Sequence, residues 1–125
     1  MEIIKSYTDL EQSCKLAEIL PLESADMCYI KHVSSDNPNW EFNEDFPPMV
    51  LGNVPINEIT AETLPCWSLA ALLGVLPQGY SLGNKKSNGK YYICMTCVKH
   101  DVIEYDEPID ACVEMVIRLN ELNLL

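Results

Sequence analysis

The sequence is poor in basic residues, has no long hydrophobic run and lacks the common catalytic motifs. It holds 8 Lys and Arg against 19 Asp and Glu in 125 residues, which gives a net charge of −11. A surface of this charge repels phosphate backbones and anionic lipid head groups, so we expect no direct binding to nucleic acid or membranes. The longest apolar run, residues 69–76, covers 8 residues and is too short to span a bilayer.

Targeting signals are also missing from the pattern. The first nine residues contain neither the apolar stretch nor the small-residue cleavage site of a secretory signal. Six cysteines in a chain without such a signal are typical of reduced thiols rather than of a disulfide framework. We therefore expect a cytoplasmic protein.

No glycine-rich phosphate loop, HExxH, GxSxG or EF-hand pattern occurs, and we predict no catalytic residue and no cofactor. Cys94 and Cys97 have CxxC spacing, but a structural zinc site usually needs two such pairs. A redox CxxC begins a helix, whereas this pair lies in a predicted strand. The alternative interpretation, a small enzyme or a zinc or redox protein, would use these two cysteines with His100.

The composition is that of an ordinary globular protein. Apolar residues make up 48% and charged residues 22%, and the mean hydropathy is zero. This balance excludes an intrinsically disordered chain, and 125 residues are enough to bury one core. We predict a single compact domain over residues 1–125.

The C-terminal helix has the clearest sequence pattern. Apolar residues recur at three- and four-residue steps, which places them on one helix face. These residues are Ile109, Cys112, Val113, Val116, Leu119 and Leu122. Asp110, Glu114, Arg118 and Glu121 fall on the opposite face. Pro108 suits the first turn, where a missing N–H costs nothing, and Asp106 or Glu107 can cap the helix.

Two further helices are predicted. Thr8 and Glu11 match a capping box that opens a helix over residues 9–20, and Pro21 ends it. The apolar side of that helix carries Leu10, Cys14, Ala17 and either Leu20 or Ile19. The next helix is predicted over residues 64–76, and its nearly continuous apolar surface indicates the most buried helix of the chain.

Cap residues and a glycine give details of the helix predicted over residues 64–76. Thr63 can cap it, Pro65 suits its first turn and Pro77 stops it. Gly74 is tolerable there if a neighbour packs closely. Trp67, in the first turn of a buried helix, is expected in the core.

Strands are predicted in three regions. Residues 26–33 are rich in β-formers, and residues 79–83 with 90–98 match a hairpin closed by a polar, glycine-ended loop. Residues 102–105 would add a third antiparallel strand, whereas the prolines in 47–55 allow only a short edge strand. We therefore predict an α+β fold: about three helices on one face of a small antiparallel sheet, with a C-terminal three-strand meander followed by the C-terminal helix.

The irregular segment 34–47 supplies the candidate contact site. Turn-forming residues dominate it, so it is either a short strand or a loop held by its aromatic side chains. Trp40 and Phe42 alternate with polar residues there, and Glu44 and Asp45 follow. An exposed aromatic patch rimmed by carboxylates would form a protein contact site, and these four residues are our candidates.

Negative charge is concentrated in the first half of the chain. Residues 1–63 hold 12 Asp and Glu against 3 Lys, whereas residues 64–125 hold 7 against 5 Lys and Arg. Two interpretations stay open. The acidity is either a solvated surface that aids solubility or a face that docks on a basic partner.

Three segments carry a resemblance. The first two are Pro65-Cys66-Trp67-Ser68-Leu69 and Pro108-Ile109-Asp110-Ala111-Cys112-Val113-Glu114-Met115. Together with the early segment 12–27, this pairing of P-x-W-S-L with a later P-I/V-D-A-x-x-E-M resembles small uncharacterised proteins of gut-bacterial genomes, their phages and mobile elements. The resemblance implies a source and a compact domain, and it implies no activity, cofactor or catalytic residue.

These observations favour a non-enzymatic, acidic module of phage or mobile-element type that binds another protein, most simply a basic one. An inhibitor of a host nucleic-acid enzyme is one subclass of such a binder. A structural subunit of a larger particle is a further hypothesis, and self-association in light scattering would support it. The sequence leaves the oligomeric state open.

Overall fold

The computed structural model describes residues 5–30, 32–34, 37–41, 47–52, 63–95 and 103–125. These residues contain three α-helices and seven short antiparallel β-strands, which confirms the α+β class. No helix in these ranges is long and apolar enough to cross a membrane. Contacts divide the chain into a sheet unit (Asp9–Trp67) and a hairpin unit (Met1–Thr8 with Ser68–Leu125). The prediction of one compact domain stays a prediction.

The sheet unit begins with helix α1, Leu10–Ala17, whose capping box lies one residue later than predicted. The Asp9 carboxylate accepts the Gln12 N–H at 2.8 Å, and the Gln12 side-chain oxygen accepts the Asp9 N–H at 3.1 Å. Thr8 is instead fully buried. Aspartate caps a helix at least as well as threonine, so the sequence pattern fitted both positions.

The buried side of α1 also differs from the prediction. Ser13, Leu16 and Leu20 are buried, whereas Cys14 is exposed. At 3.6 residues per turn, Cys14 and Leu16 lie about 200° apart around the helix axis. The prediction that Cys14 lies on the buried, apolar side of this helix is therefore wrong. The helix packs against strand β5 (Thr63–Cys66) of the same unit.

A three-stranded antiparallel sheet forms the centre of this unit. Strand β1 (Met27–Ile30) lies in the middle, and a second pair of strands, β2 (His32–Ser34) and β3 (Asn37–Glu41), follows it. Strands β4 (Met49–Val50) and β5 (Thr63–Cys66) flank β1 on either side. The predicted strand over 26–33 is confirmed at Met27–Ile30, residue 31 lies outside the described residues, and His32 begins the separate strand β2. The short edge strand within 47–55 is confirmed at Met49–Val50.

Strand β5 occupies residues that the sequence pattern assigned to a helix. Thr63 does not cap a helix, and Pro65 pairs with Cys28 in the sheet. Proline is tolerated in an edge strand where its nitrogen faces away from the neighbouring strand. Pro65 fits both a first helical turn and such an edge, and pairing with β1 decides between them.

Trp67 follows β5 and is fully buried, which confirms the prediction that it belongs to the core. Its indole Nε1–H donates to Ser24 Oγ at 3.0 Å, and the Ser24 hydroxyl donates to the Pro21 carbonyl at 2.6 Å. A 3₁₀ turn, Leu22–Ser24, holds Ser24 in place. The short relay satisfies a polar group that would otherwise be costly to bury.

In the hairpin unit, helix α2 spans Leu69–Val75 and is capped by Ser68, whose hydroxyl accepts the Ala71 N–H at 3.2 Å. Leu72 is its one buried residue, so the prediction that this is the most buried helix is wrong. Gly74 is exposed, and a Cβ built there would meet no atom within 4 Å. No close packing therefore explains Gly74.

The predicted hairpin is confirmed. Strands β6 (Tyr80–Asn84) and β7 (Tyr91–Met95) pair in regular register, and Gly89 closes the loop at a φ of +73°. Within the described residues, the third strand of the predicted meander is present as a single bridge, in which Tyr105 and Tyr91 exchange backbone hydrogen bonds of 2.7 and 2.8 Å. Residue 102 of the predicted strand lies outside the described residues.

Helix α3, Pro108–Glu121, confirms the predicted C-terminal helix and packs against α2 and β7. Its buried residues include five of the six predicted apolar positions: Ile109, Cys112, Val113, Val116 and Leu119. Leu122 is the exception, because it is the C-cap and is exposed. Asn123 then adopts a φ of 58°, and the Leu124 N–H bonds to the Leu119 carbonyl, which ends the helix in a Schellman motif.

Gly83 and Tyr92 form a cross-strand pair on β6 and β7. A Cβ built on Gly83 would lie 2.6 Å from both Cε2 and Oη of the Tyr92 ring. The ring therefore lies directly over the glycine and shields its backbone, a known way to stabilise a glycine within a sheet.

We expect Gly83→Ala to displace the Tyr92 ring and to lower the free energy of unfolding by about 1 kcal/mol, because the new methyl occupies the ring position. Urea unfolding and the near-ultraviolet circular dichroism of tyrosine would measure both effects. Ser81→Ala, on the same side of β6, is the matched control and should change little. Equal stability of Gly83→Ala and wild type would contradict the prediction.

Candidate protein-contact surface

The sequence-predicted contact residues are only partly described by the structure. Trp40 lies in strand β3, paired with β2, which confirms a strand rather than a loop at residues 37–41. Phe42, Glu44 and Asp45 lie outside the described residues. The candidate site therefore consists of other residues of the sheet unit that the structure describes.

Strand β4 exposes two apolar side chains at the edge of the three-stranded sheet. Met49 is 44% exposed and Val50 is 68% exposed. Two prolines precede this strand, and Gly52 follows it with a φ of +60°. Because proline has no N–H and this glycine turns the chain, the sequence confines β4 to two residues.

The next residue along the chain anchors the edge. Leu51 is buried with Cys28, and Ile30 packs against them. The Leu51 N–H donates to the Asp26 carbonyl at 3.0 Å. The exposed side chains of β4 therefore stand on a strand whose following residue is fixed to β1 by packing and hydrogen bonding.

A carboxylate lies next to this edge. Asp26 immediately precedes β1 and is exposed, and its backbone carbonyl accepts the Leu51 N–H. We call Met49 and Val50, together with Asp26, the β4 edge surface.

The two units differ in net charge. The sheet unit holds 11 Asp and Glu against two Lys, a net charge of −9, whereas the hairpin unit carries the remaining −2. In the hairpin unit, lysines stand beside carboxylates: Lys5 lies 3.1 Å from Asp110, and Lys85 lies 2.9 Å from Glu104. Hydrogen bonds from the side chains of Lys85 and Asn88 hold the pKa of the Glu104 carboxyl below its usual value. The sheet unit is the one with a large excess of negative charge.

The alternative site at Cys94, Cys97 and His100 is described at one position. Cys94 lies in β7, with its Sγ 3.5 Å from the Ser81 hydroxyl, and the other two lie outside the described residues. Within the part of the chain that the structure describes, no group of three or more His, Cys, Asp or Glu residues could hold a metal ion.

Three other cysteines lie in the core. Cys28, Cys66 and Cys112 are fully buried. Burial raises the pKa of the Cys28 thiol, and it raises the pKa of Cys112 to about 11. Both thiols are therefore protonated at neutral pH, which is unlike the lowered pKa of a nucleophilic cysteine.

Sequence reasoning did not select Met49 and Val50. The available signal was a Met-Val-Leu run between two prolines and a glycine, which predicted a short edge strand but not which of its side chains would be exposed. Both side chains are exposed because β4, among the described strands, pairs only with β1.

Comparisons with known proteins give no relative. No protein-family model matches the chain, and neither the curated proteins nor the solved structures contain a significant match.

Proposed function

We propose that this protein is a non-enzymatic binding module whose sheet unit docks on a basic surface of another protein. The observation that carries the proposal is the β4 edge surface, where Met49 and Val50 are exposed on a strand that pairs beside the exposed Asp26. An apolar centre with a polar rim is the usual anatomy of a protein interface. The net charge of −9 on this unit selects a partner of opposite charge.

Apolar and acidic residues contribute differently to such a complex. Burial of Met49 and Val50 would supply most of the contact energy, at roughly 25 cal/mol for each Å² of apolar surface. The carboxylates would accelerate association and exclude acidic partners, and both effects weaken as salt screens them. The proposal therefore requires a complex that is sensitive both to salt and to the apolar side chains.

Nucleic-acid enzymes are one class of partner that meets the charge requirement, because their substrate grooves are basic. A gene of phage or mobile-element type, which the resemblance implies, would encounter such host enzymes. Inhibition of one of them is the form of the proposal that a host-lysate experiment tests most directly.

The test is a pull-down from host lysate in which Met49 and Val50 are both replaced by serine. Wild type should retain a specific basic protein at roughly 0.05 M salt and release it at roughly 0.5 M, since screening lengths shorten several-fold over that range. The double variant should bind at least about tenfold more weakly, because two buried apolar side chains are lost.

The matched control replaces Leu122 and Leu124 with serine, since both are exposed apolar residues of the other unit. This control should retain the same protein as wild type. Retention of no specific protein by wild type would contradict the proposed function. Equal binding by the β4 double variant would show that the contact surface lies elsewhere.

A further inference from the structure

We propose that the partner contributes an extended basic segment that adds along β4 as the next strand of the sheet. The proposal rests on the function proposed above and specifies how the contact is made. Strand addition uses main-chain hydrogen bonds for attachment and alternate side chains for specificity.

The two exposed side chains of β4 lie on opposite faces of the sheet, because successive residues of a strand alternate. Met49 is the register partner of Cys28, and Val50 is the partner of Met27. A partner lying flat on one face would therefore cover only one of the two side chains. A segment that runs along the edge contacts both, and this favours an extended occupant.

The backbone of β4 also directs a hydrogen-bond donor and an acceptor away from β1. The hydrogen bond from the Leu51 N–H to the Asp26 carbonyl makes these two residues a hydrogen-bonded pair. Antiparallel ladders alternate, so Cys28 and Met49 are also such a pair, whereas Met27 and Val50 are not. The N–H and C=O of Val50 therefore point away from β1, towards the edge where the described sheet ends.

The opposite edge is less suited to strand addition. In the same ladder, Cys28 and Pro65 form a non-hydrogen-bonded pair, so the Pro65 nitrogen faces outwards and carries no hydrogen. Helix α1 also packs on β5. Of the two edges of the three-stranded sheet, β4 is the one that presents an outward N–H together with exposed apolar side chains.

Charge and length define the occupant further. Pro47 and Pro48 limit the added strand to the pair at Val50 and its immediate neighbours, so side chains must supply much of the affinity. Asp26 is exposed at the position that pairs with Leu51, on the same sheet face as Met49. The matching segment is short and alternates lysine or arginine with β-branched apolar residues.

The experiment uses the full chain and a blocked six-residue peptide of alternating lysine and valine, with a glutamate and valine peptide as the charge control. Amide hydrogen exchange followed by nuclear magnetic resonance reports each backbone N–H. Binding of the lysine peptide should slow exchange of the Val50 amide at least about tenfold, because that N–H becomes hydrogen-bonded. The glutamate peptide should leave it unchanged.

Two variants separate the backbone from the side chain. Val50→Pro removes the outward N–H without removing a bond to β1, and it should weaken binding of the lysine peptide at least about tenfold. Val50→Thr keeps the N–H and the branched shape and should bind within about threefold of wild type. If Val50→Pro unfolds, the exchange rate of Val50 in wild type decides the question alone.

Each outcome has a consequence. Slowed exchange at Val50 with loss of binding in the proline variant supports strand addition. Peptide binding that leaves the Val50 amide unchanged overturns strand addition but leaves the proposed function intact. Absence of lysine-peptide binding at millimolar concentration also overturns strand addition, whereas the proposed function fails only if wild type retains no specific protein in the lysate experiment.

Discussion

Replacing Trp67 with alanine is expected to lower the free energy of unfolding of the protein by about 3–5 kcal/mol. Trp67 is the largest fully buried side chain, so its removal leaves a large cavity in the sheet unit. The substitution also removes the indole N–H that donates a hydrogen bond to Ser24 Oγ, at 3.0 Å in the native protein. A loss of this size is a large share of the stability of a typical small domain, so the variant should be partly unfolded near room temperature.

Urea unfolding followed by far-ultraviolet circular dichroism measures this effect. Ser24→Ala separates the hydrogen bond from the cavity: it leaves a buried indole N–H without its acceptor and should cost about 1–3 kcal/mol. Leu22→Ala, in the same 3₁₀ turn but exposed, is the control and should cost well below about 1 kcal/mol. A cost below about 1 kcal/mol for Trp67→Ala would contradict the assignment of Trp67 as a core anchor.

Local patterns predicted those parts of the fold in which local interactions dominate. Helix α3 needed only its 3.6-residue periodicity and Pro108 in the first turn, and both fit the structure. The β6–β7 hairpin needed only a polar loop ending in Gly89. In both cases the interacting residues are close in sequence, so the local sequence contains most of the information that specifies the element.

Long-range pairing decided the parts that the sequence did not predict. Thr63–Cys66 is a strand because it pairs with β1, and the partners Cys28 and Pro65 are far apart in the chain. Local features there, a capping threonine and an early proline, fit a helix equally well. For the same reason α2 begins at Leu69 and is shorter than its apolar run suggested.

The β4 edge surface is a proposal that the sequence did not select. The excess of negative charge in the first half of the chain follows directly from the composition, and it belongs to the sheet unit. Sequence alone could not select Met49 and Val50, because their exposure depends on β4 lying at an edge. Trp40, Phe42, Glu44 and Asp45 stay predictions of a contact site.

Cys112 makes the stability of the protein depend on pH in the alkaline range. This thiol is fully buried in α3, and burial raises its pKa from 9.0 to about 11. The unfolded chain therefore releases this proton before the folded chain does. The contribution to stability is fully present below pH 9 and is lost as the pH rises towards 11.

The expected loss is about 1 kcal/mol at pH 10 and about 2 kcal/mol at pH 11, relative to a protein without this thiol. Unfolding free energies of wild type, Cys112→Ala and Cys112→Val between pH 8 and pH 11 would measure it. Other groups also titrate in this range, but they are common to all three proteins, so the difference from wild type isolates Cys112. The two variants differ in how they fill the site and should differ in absolute stability. Their pH dependence should nevertheless be the same, and each should lose less stability than wild type. Parallel curves for all three proteins would mean that the folded state does not hold Cys112 in its protonated form, and so that α3 does not bury this residue as the structure shows.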